Sequence, residues 1–284
     1  MKKHKKILIT GSEGFVGKHL SQIYKNQADV KIYRSGLKNI RDSNFFKCDL
    51  RDENSVLEMI MFINPDQIYH LAGSFSNQFK VDLDNNLISS YNLLKAVEIL
   101  KIKSRILLVG SAAEYGKVSE KDNPIKESNN LSPASIYGLT KIFQTYLMQY
   151  FVTTKGLDVV MARVFNLIGK GSSEKLFVGN LYRQIKDFKK GKIKKIILGN
   201  IENKRDYLKV EDAVKKFNYL MEKGLTGEIY NIGSGTAKKT KEVLNEIIEN
   251  EQLSINFVEF NKIINKNYDA KLIYADINKL NKLE

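Results

Sequence analysis

Short apolar runs alternate with longer segments of helical spacing from the first residues of this 284-residue chain. A run such as Lys6-Ile-Leu-Ile-Thr10 suits a strand of a parallel sheet that is covered on both faces. The predicted strands are 6–10, 30–33, 44–48, 67–71, 105–109 and 157–162, and the predicted helices between them are 17–27, 54–63, 85–100 and 136–151. Repeated strand–helix–strand units of this kind predict an α/β fold with a doubly wound parallel sheet.

A glycine-rich turn follows the first predicted strand. Gly11, Gly14 and Gly17 have the spacing that a tight turn and a close approach to pyrophosphate require, and a helix follows them. Backbone N–H groups at the start of that helix would face phosphate oxygens. We therefore expect a Rossmann fold with a dinucleotide on this loop. The residues expected to line the cofactor here are Gly11, Ser12, Glu13, Gly14, Phe15, Val16 and Gly17.

The end of the second predicted strand favours NADP(H), with NAD(H) as the alternative. An acid at this point would bind the ribose 2′-hydroxyl, whereas an arginine would accommodate a 2′-phosphate. Arg34 and Ser35 follow the strand, and neither is acidic. The alternative for Arg34 is an exposed loop residue without a role in binding.

The alternation loosens after Asn166. A Gly/Ser stretch at 169–173 is followed by predicted helices at 179–188, 211–223 and 241–249 and predicted strands at 196–198 and 228–232. This part suits a smaller C-terminal lobe that binds a substrate. We therefore predict a Rossmann domain over 1–165, with 206–229 packing back onto it, and a lobe built from 166–205 and 230–284.

Composition argues against several classes of protein. One cysteine and three histidines, without metal-ligand spacing, predict neither a disulfide scaffold nor a metal site. The apolar run after the basic start Met1-Lys-Lys-His-Lys-Lys6 is too short for an export signal or a membrane span, so we expect a cytoplasmic protein without a membrane partner. The lysines behind the net charge of +14 are dispersed, and no nucleic-acid polymer is expected as a partner.

A tyrosine and a lysine stand one helical turn apart, at Tyr137 and Lys141. An ammonium near a phenol favours the phenolate and lowers a pKa that is otherwise near 10. Tyr137 is therefore a candidate for exchanging a proton with a substrate hydroxyl or carbonyl.

The chain resembles the extended short-chain dehydrogenase/reductases that modify nucleotide sugars. The matching segments are Thr10 to Gly17, Asp49-Leu50, His70 to Gly73, Asn86, Gly110 to Gly116, Tyr137 with Lys141, Arg163 to Asn166, Arg205 to Tyr207 and Tyr230 to Gly235. The resemblance implies an NAD(P)-dependent oxidoreductase with a nucleotide-diphosphate sugar as substrate. It also implies a homodimer through a four-helix interface, in which the helices near 85–100 and 136–151 take part.

The same resemblance implies roles for individual residues. Ser111 would hydrogen-bond the reacting oxygen, Tyr137 would transfer the proton, and Lys141 would hold the nicotinamide ribose. Further cofactor contacts are implied for Arg34, Ser35, Asp49, Leu50, Leu71, Ala72, Gly73, Lys141 and Val164. Substrate contacts are implied for Ser111, Ala112, Ala113, Tyr137, Asn166, Val178 and Arg205. Alternatives are a helix-kink role for Asn86 and a salt bridge of Arg205 with Asp206 or Asp212.

Departures from the family favour one reaction. Dehydratases carry acidic residues directly after the Ser or Thr of the fifth-strand loop, whereas this chain has Ala112 and Ala113, and Glu114 should point to the opposite side. The single cysteine, Cys48, lies outside the predicted lobe, which argues against double epimerisation. We therefore expect NADPH-dependent reduction of a 4-keto-6-deoxy sugar at C4, with a GDP-linked hexose or heptose favoured because 163–171 and 199–207 resemble lobes that bind GDP-sugars. The alternatives are a 4-epimerase or 4-dehydrogenase, and a non-catalytic NAD(P)-sensing relative.

Overall fold

The computed structural model describes residues 4–25, 27–261 and 270–283. Residues 1–3 of the basic start and residue 26 of the predicted helix 17–27 lie outside this part of the chain. The strands are β1 (Lys5–Thr10), β2 (Val30–Gly36), β3 (Phe45–Lys47), β4 (Gln67–His70), β5 (Arg105–Ser111), β6 (Asp158–Val164), β7 (Asn166–Ile168), β8 (Ile196–Leu198), β9 (Lys204–Arg205), β10 (Tyr207–Lys209), β11 (Ile229–Ile232), β12 (Lys238–Lys239), β13 (Val258–Phe260) and β14 (Leu272–Ile273). The α-helices are α1 (Phe15–Tyr24), α2 (Glu53–Ile63), α3 (Phe79–Asp82), α4 (Ser89–Ile99), α5 (Ile136–Lys155), α6 (Phe177–Lys189), α7 (Val210–Lys223), α8 (Thr240–Asn250) and α9 (Asn278–Asn281).

Seven strands form one sheet in the order β11-β6-β5-β4-β1-β2-β3. All six pairs of neighbouring strands are parallel. The chain order reverses between β1 and β4, and ligands of open α/β sheets bind in the crevice at the carboxyl ends of the strands beside such a reversal. The predicted doubly wound parallel sheet is confirmed.

The two faces of the sheet carry separate apolar cores. On β1, Leu8 packs with side chains of α2, α4 and α5, whereas Ile7 and Ile9 pack on the other face with side chains of α1 and α7. All three are fully buried. Successive strand residues point to opposite faces, so an uninterrupted apolar run is what a doubly covered strand needs. Each such side chain contributes about 1.5–3 kcal/mol by leaving water.

A third core holds the smaller lobe together. It lies between α6 and α8 and includes β8 and β13, which pair in parallel. Strand β11 belongs to the large sheet, beside β6, so the sheet extends past the predicted boundary at 229/230. Tyr230 and Ile232 are buried there, and this explains why the strand continues through them. No helix in the described part of the chain is both long enough and apolar enough to cross a membrane.

Candidate active site

The glycine-rich turn lies between the end of β1 and the start of α1. Gly11 has a φ of +63°, and a Cβ on it would lie 2.7 Å from the Ala72 nitrogen. A Cβ on Gly17 would lie 2.5 Å from the Gly11 carbonyl oxygen, which also accepts a hydrogen bond from the Gly14 nitrogen at 3.0 Å. Only glycine permits both the left-handed conformation and these approaches. The turn therefore fits a pyrophosphate at the N-terminus of α1.

Charged side chains surround the end of β2. Arg34 donates a hydrogen bond to Asp42 at 2.6 Å, with both side chains about one-third exposed. The Glu13 carboxylate lies within 3.2 Å of the Lys38 ammonium, and a Cβ on Gly36 would lie 2.6 Å from the same carboxylate. The sequence at the end of β2 reveals only Arg34, because Glu13 precedes β2 and Asp42 follows it in the chain. The corner that would hold the adenosine ribose thus carries two cations and two anions.

Some of the remaining predicted cofactor residues are accessible to solvent or face Lys141, and others pack against the two apolar cores. Asp49 accepts hydrogen bonds from Arg51, and these hold the pKa of the Asp49 carboxyl below its usual range. Gly73 faces Lys141, since a Cβ there would lie 3.6 Å from the lysine Nζ. The side chain of Leu50 belongs to the first core, and partly buried side chains that pack against the second core are Phe15, Val16, Leu71 and Val164. Ser12 and Ser35 are buried, and Ser12 donates to the Ser35 carbonyl oxygen at 3.1 Å.

Ser111 ends β5 and caps a single 3₁₀ turn at Ala112–Glu114. Its Oγ accepts from the Ala113 nitrogen at 3.2 Å, and its own backbone nitrogen donates to Glu114 Oε1 at 2.8 Å. The predicted orientation of Glu114 assumed an extended segment, and the turn replaces that segment. Glu114 is nevertheless fully buried, because its carboxylate forms an ion pair with Arg163 at 2.8 Å.

The Glu114–Arg163 pair belongs to a larger buried network. Glu114 Oε2 also accepts from Thr145 Oγ1 at 2.8 Å, and Arg163 donates to the Tyr115 hydroxyl at 3.0 Å. The Tyr115 hydroxyl in turn donates to Asn231 Oδ1 at 2.7 Å. Both charges are thus hydrogen-bonded, as ionised groups in a protein interior must be.

Tyr137 and Lys141 lie in the first two turns of α5, which begins at the N-cap Ser135. The Lys141 Nζ is 5.9 Å from the centre of the Tyr137 ring and donates to the Val109 carbonyl oxygen at 2.8 Å and to Gln144 Oε1 at 3.0 Å. The sheet therefore places Ser111 and Lys141 near one another at the carboxyl ends of its strands, with Tyr137 on the same helix turn.

The expected depression of the tyrosine pKa is wrong for this structure. Burial raises the pKa of Tyr137 to about 12, and the Ser111 side chain offsets only part of this rise. Burial also lowers the pKa of Lys141 to about 8. The lysine ammonium is directed at Val109 and Gln144 and not at the phenol, so it does not stabilise a phenolate here. Tyr137 is consequently a protonated phenol at neutral pH.

A loop that the sequence analysis did not single out covers Tyr137. The Phe75 ring packs edge-on against the Tyr137 ring, with centroids 4.9 Å apart, and Asn77 Oδ1 accepts from the Tyr137 nitrogen at 3.3 Å. The fully buried Asp82 carboxylate fixes this loop by accepting from the backbone nitrogens of Ser76 and Asn77 at 2.9 and 2.8 Å. The one sequence signal for this loop is Asp82, which follows a segment containing Ser74, Ser76 and Asn77.

Asn86 lies at an irregular part of its helix, as the helix-kink alternative expects. It lies within a π-helical turn, Leu83–Ile88, that replaces the start of the single helix predicted at 85–100. Its side chain accepts from the Ser74 nitrogen at 2.8 Å and donates to Thr140 Oγ1 at 3.0 Å. The wide turn brings the amide to both partners, so Asn86 connects the loop to the helix of Tyr137.

The other predicted substrate residues, beyond the Ser111 turn and Tyr137, are Asn166, Val178 and Arg205, on β7, α6 and β9. Asn166 is exposed and begins β7, and Arg205 is half-buried on β9. Val178 is only 4% exposed and packs in the third core, so its side chain does not face the cleft. The fully apolar environment between α6 and α8 accounts for this placement.

Asp206 is not a surface partner of Arg205. It is fully buried, and its carboxylate accepts four hydrogen bonds from three residues. These come from the Ser234 nitrogen at 2.6 Å and hydroxyl at 2.8 Å, the Gly235 nitrogen at 3.0 Å and the Ala275 nitrogen at 3.1 Å. Asp212 bonds to Lys215. Asp206 therefore joins segments that are distant in sequence.

Comparisons with known proteins agree with this geometry. The chain is 29% identical over 261 residues to GDP-6-deoxy-D-mannose reductase of Pseudomonas aeruginosa, covering 89% of this chain and 83% of that protein. It is 26% identical to GDP-6-deoxy-D-talose 4-dehydrogenase of Aggregatibacter actinomycetemcomitans, covering 97% of this chain and 90% of that protein. Its structure is similar to that of RMD from Pseudomonas aeruginosa complexed with NADPH, with a TM-score of 0.84 and 26% identity, covering 99% of this chain and 91% of that one.

The family match covers the glycine-rich turn and the Tyr137 helix. The model of the NAD dependent epimerase/dehydratase family matches residues 7–233, from β1 to just after β11. The members of this family are NAD(P)-dependent enzymes that act on nucleotide sugars. With most of its length matched, the chain belongs to the NAD dependent epimerase/dehydratase family, the extended short-chain dehydrogenase/reductases.

Proposed function

We propose that this protein reduces a nucleotide-diphosphate-linked 4-keto-6-deoxy sugar at C4, with NADPH as reductant and a GDP-linked hexose or heptose as the favoured substrate. The observation that carries the proposal is the placement of Tyr137 and Lys141 on one side of α5, with the Lys141 Nζ 5.9 Å from the Tyr137 ring, beside Ser111, which is followed in the sequence by Ala112 and Ala113. The names of both relatives, a GDP-6-deoxy-D-mannose reductase and a GDP-6-deoxy-D-talose 4-dehydrogenase, support a GDP-linked 6-deoxy sugar.

Tyr137, Ser111 and Lys141 each have a separate role in the proposed reduction. NADPH, when bound, supplies the hydride. Tyr137, with a pKa of about 12, holds a proton that it can donate to the C4 oxygen as negative charge develops there. Ser111 donates a hydrogen bond to the same oxygen, which requires its hydroxyl to turn toward the substrate while its Oγ still accepts from Ala113. Lys141 directs an N–H toward the ribose from its place beside Gly73.

The neighbouring side chains disfavour the other reactions of the family. Dehydration needs an acid and a base beside the sugar, and Ala112 and Ala113 carry only methyl groups. The nearest carboxylate, Glu114, is held by Arg163. Double epimerisation with a cysteine is disfavoured because Cys48 is buried in the first core and burial raises the pKa of its thiol to about 12.

The experiment follows the loss of NADPH absorbance at 340 nm with 4-keto-6-deoxy sugars linked to GDP, UDP and dTDP. We expect the fastest loss with the GDP-linked sugar and a product two mass units heavier than the substrate. NADPH binding without turnover of any of the three sugars would contradict the proposal and favour a non-catalytic NAD(P)-sensing protein.

A 4-dehydrogenase is the second candidate, since the same residues work in both directions and one relative bears that name. Oxidation of the sugar hydroxyl by NADP⁺ releases a proton, which would leave through Tyr137, so a rise in pH favours oxidation and a fall in pH favours reduction. We therefore expect NADP⁺ reduction by a GDP-6-deoxy sugar to be slower than the reverse reaction at pH 7, and to speed up as the pH rises. A faster oxidation at pH 7 would favour the dehydrogenase. A 4-epimerase would instead release an epimer without net change at 340 nm.

Cofactor preference is predicted to depend on Arg34. If Arg34 leaves Asp42 for the 2′-phosphate, then Arg34→Ala should weaken NADPH binding about tenfold, the effect of one hydrogen bond to a charged group. NADH, which lacks the phosphate, serves as the control and should bind unchanged. Glu13→Gln should strengthen NADPH binding, because it removes a negative charge from the same corner. Fluorescence titration measures each Kd, and an unchanged NADPH affinity in Arg34→Ala would refute the role.

A homodimer is also proposed, through α4 and α5. Among the apolar residues of these two helices, Leu94 and Ile142 are buried against the protein's own core, whereas Tyr91 and Tyr146 are 36% and 59% exposed. Tyr150, at 49%, extends this exposed face by one turn. Aromatic side chains of this kind are enriched at protein interfaces.

Tyr146→Glu is therefore expected to convert the dimer to a monomer, because it places a charge in the centre of an apolar contact. Sedimentation velocity measures the mass. The matched control is Leu225→Glu, since Leu225 is 62% exposed but lies after α7, away from this face. A Tyr146→Glu protein that still sediments as a dimer would rule out this interface.

A further inference from the structure

A chain of buried polar groups runs from β1 to the candidate catalytic lysine. His70 on β4 bonds Thr10 Oγ1 through Nδ1 at 2.9 Å and Ser90 Oγ through Nε2 at 3.1 Å. Gln144 donates from Nε2 to the same Ser90 Oγ at 2.7 Å and accepts from the Lys141 Nζ at 3.0 Å. All of these residues are at most 5% exposed.

The direction of every hydrogen bond in this chain is determined by Ser90. Its hydroxyl proton is committed to the Asn86 carbonyl oxygen at 2.6 Å, so Ser90 Oγ can only accept from the other two groups. His70 must therefore carry its proton on Nε2, and burial, which lowers its pKa to about 3, keeps it neutral. Nδ1 then accepts from Thr10.

The same constraint orients the amide of Gln144. Turned by 180°, its NH₂ group would face the Lys141 ammonium, donor against donor, and its oxygen would face Ser90 Oγ, which has no proton to give. Only the observed orientation satisfies both ends. Gln144 therefore presents an acceptor to Lys141 that the packing of β1, β4, α4 and α5 holds in place.

We propose that Gln144 is a positioning residue, which holds the Lys141 ammonium at the cofactor ribose and maintains its positive charge. The inference rests on the proposed role of Lys141 in the reductase. Two of the three N–H groups of Lys141 point at Val109 and Gln144, which directs the third away from both, and Gly73 gives the Nζ room on the side of the cleft. Without the amide oxygen the ammonium could turn from the ribose.

The charges around Lys141 determine what a change at Gln144 does. Glu114 and Asp82 raise its pKa, burial lowers it more strongly, and His70 and Tyr137 face it as neutral groups. Removing the acceptor destabilises the charged lysine, so its pKa falls further. Placing a carboxylate at the same position stabilises the charged form, so its pKa rises.

The test is an NMR titration of the protein labelled with ¹³C-lysine, in which the Lys141 signal is identified by its loss in Lys141→Met. Relative to wild type, Gln144→Met should lower the pKa of Lys141 by about one unit, and the nearly isosteric Gln144→Glu should raise it by about one unit. NADPH binding at pH 7.5 should weaken about tenfold in Gln144→Met, as for loss of one hydrogen bond to a charged group.

Gln184 offers a matched control in the lobe. It is 7% exposed and makes two hydrogen bonds to Ile197, so Gln184→Met should lose stability without moving the Lys141 titration. A purely structural role for Gln144 cannot produce opposite shifts in Met and Glu variants. An unchanged Lys141 pKa in both, or in Gln144→Glu alone if the Met variant does not fold, overturns the inference. Since neither readout uses a sugar, shifts as expected in a protein without reductase activity would refute the proposed function alone.

Discussion

Tyr137→Phe is expected to lower kcat for NADPH oxidation by about 10²- to 10⁴-fold, the range that a positioned general acid supplies. The substitution removes only the hydroxyl. The ring would still pack edge-on against Phe75, and the backbone would still donate to Asn77, so the fold and the cleft should persist. Rapid-mixing and steady-state absorbance at 340 nm with a GDP-linked 4-keto sugar measure the loss.

Two controls separate loss of the acid from general damage. Tyr219→Phe removes the hydroxyl of a tyrosine on α7, which bonds the Leu283 carbonyl oxygen at the far face, and should leave kcat unchanged. The NADPH Kd of Tyr137→Phe should also match that of wild type. Activity within about threefold of wild type in Tyr137→Phe would remove the tyrosine from the mechanism, since a positioned general acid supplies about 10²-fold or more.

The second large effect is expected on stability, at the buried Glu114–Arg163 pair. Glu114→Ala should lower the free energy of unfolding by about 3–5 kcal/mol, because it leaves an uncompensated guanidinium in the protein interior. Arg163 is only 1% exposed and would lose a carboxylate that receives two of its N–H groups. Urea denaturation followed by circular dichroism gives the difference.

Replacing both members of the pair tests whether the uncompensated charge of Arg163 causes the loss of stability. The double variant Glu114→Leu with Arg163→Met removes both charges and should recover most of the loss, because no ionised group then remains buried. A matched surface pair, Lys80 and Asp84, provides the comparison, and Asp84→Ala should cost about 0–1 kcal/mol. A loss below about 1 kcal/mol in Glu114→Ala would show that water reaches Arg163.

Long periodic segments made most of the fold predictable. The uninterrupted apolar runs of β1, β4 and β5 and the spacing in α2 and α7 are local signals that the sheet then uses. Apart from β8, the short strands of the lobe give no such signal. Strands β9, β12 and β14 have two residues each, and their existence depends on partners that arrive from distant parts of the chain. Local pattern therefore predicts the large sheet and β8 but misses the two-residue strands.

The candidate site, like the fold, is predictable from local sequence only in part. Spacing alone placed Tyr137 and Lys141 together, but the direction of the tyrosine pKa follows from burial and from the partners of the lysine, which spacing does not contain. Asp42 and Glu13 reach the end of β2 only through the folded loops. Val178, which sequence assigned to the substrate, packs inside the lobe.

Asp206 bears on how a substrate would reach the cleft. Its backbone nitrogen donates to the Ile273 carbonyl oxygen at 3.0 Å and its carbonyl oxygen accepts from Asn166 at 3.2 Å, while its carboxylate holds the Ser234 turn just after β11. A hinge between the lobe and the large sheet would have to rupture these bonds together and expose a desolvated carboxylate. We therefore expect the lobe and the large sheet to keep their relative placement around Asp206 when a ligand binds.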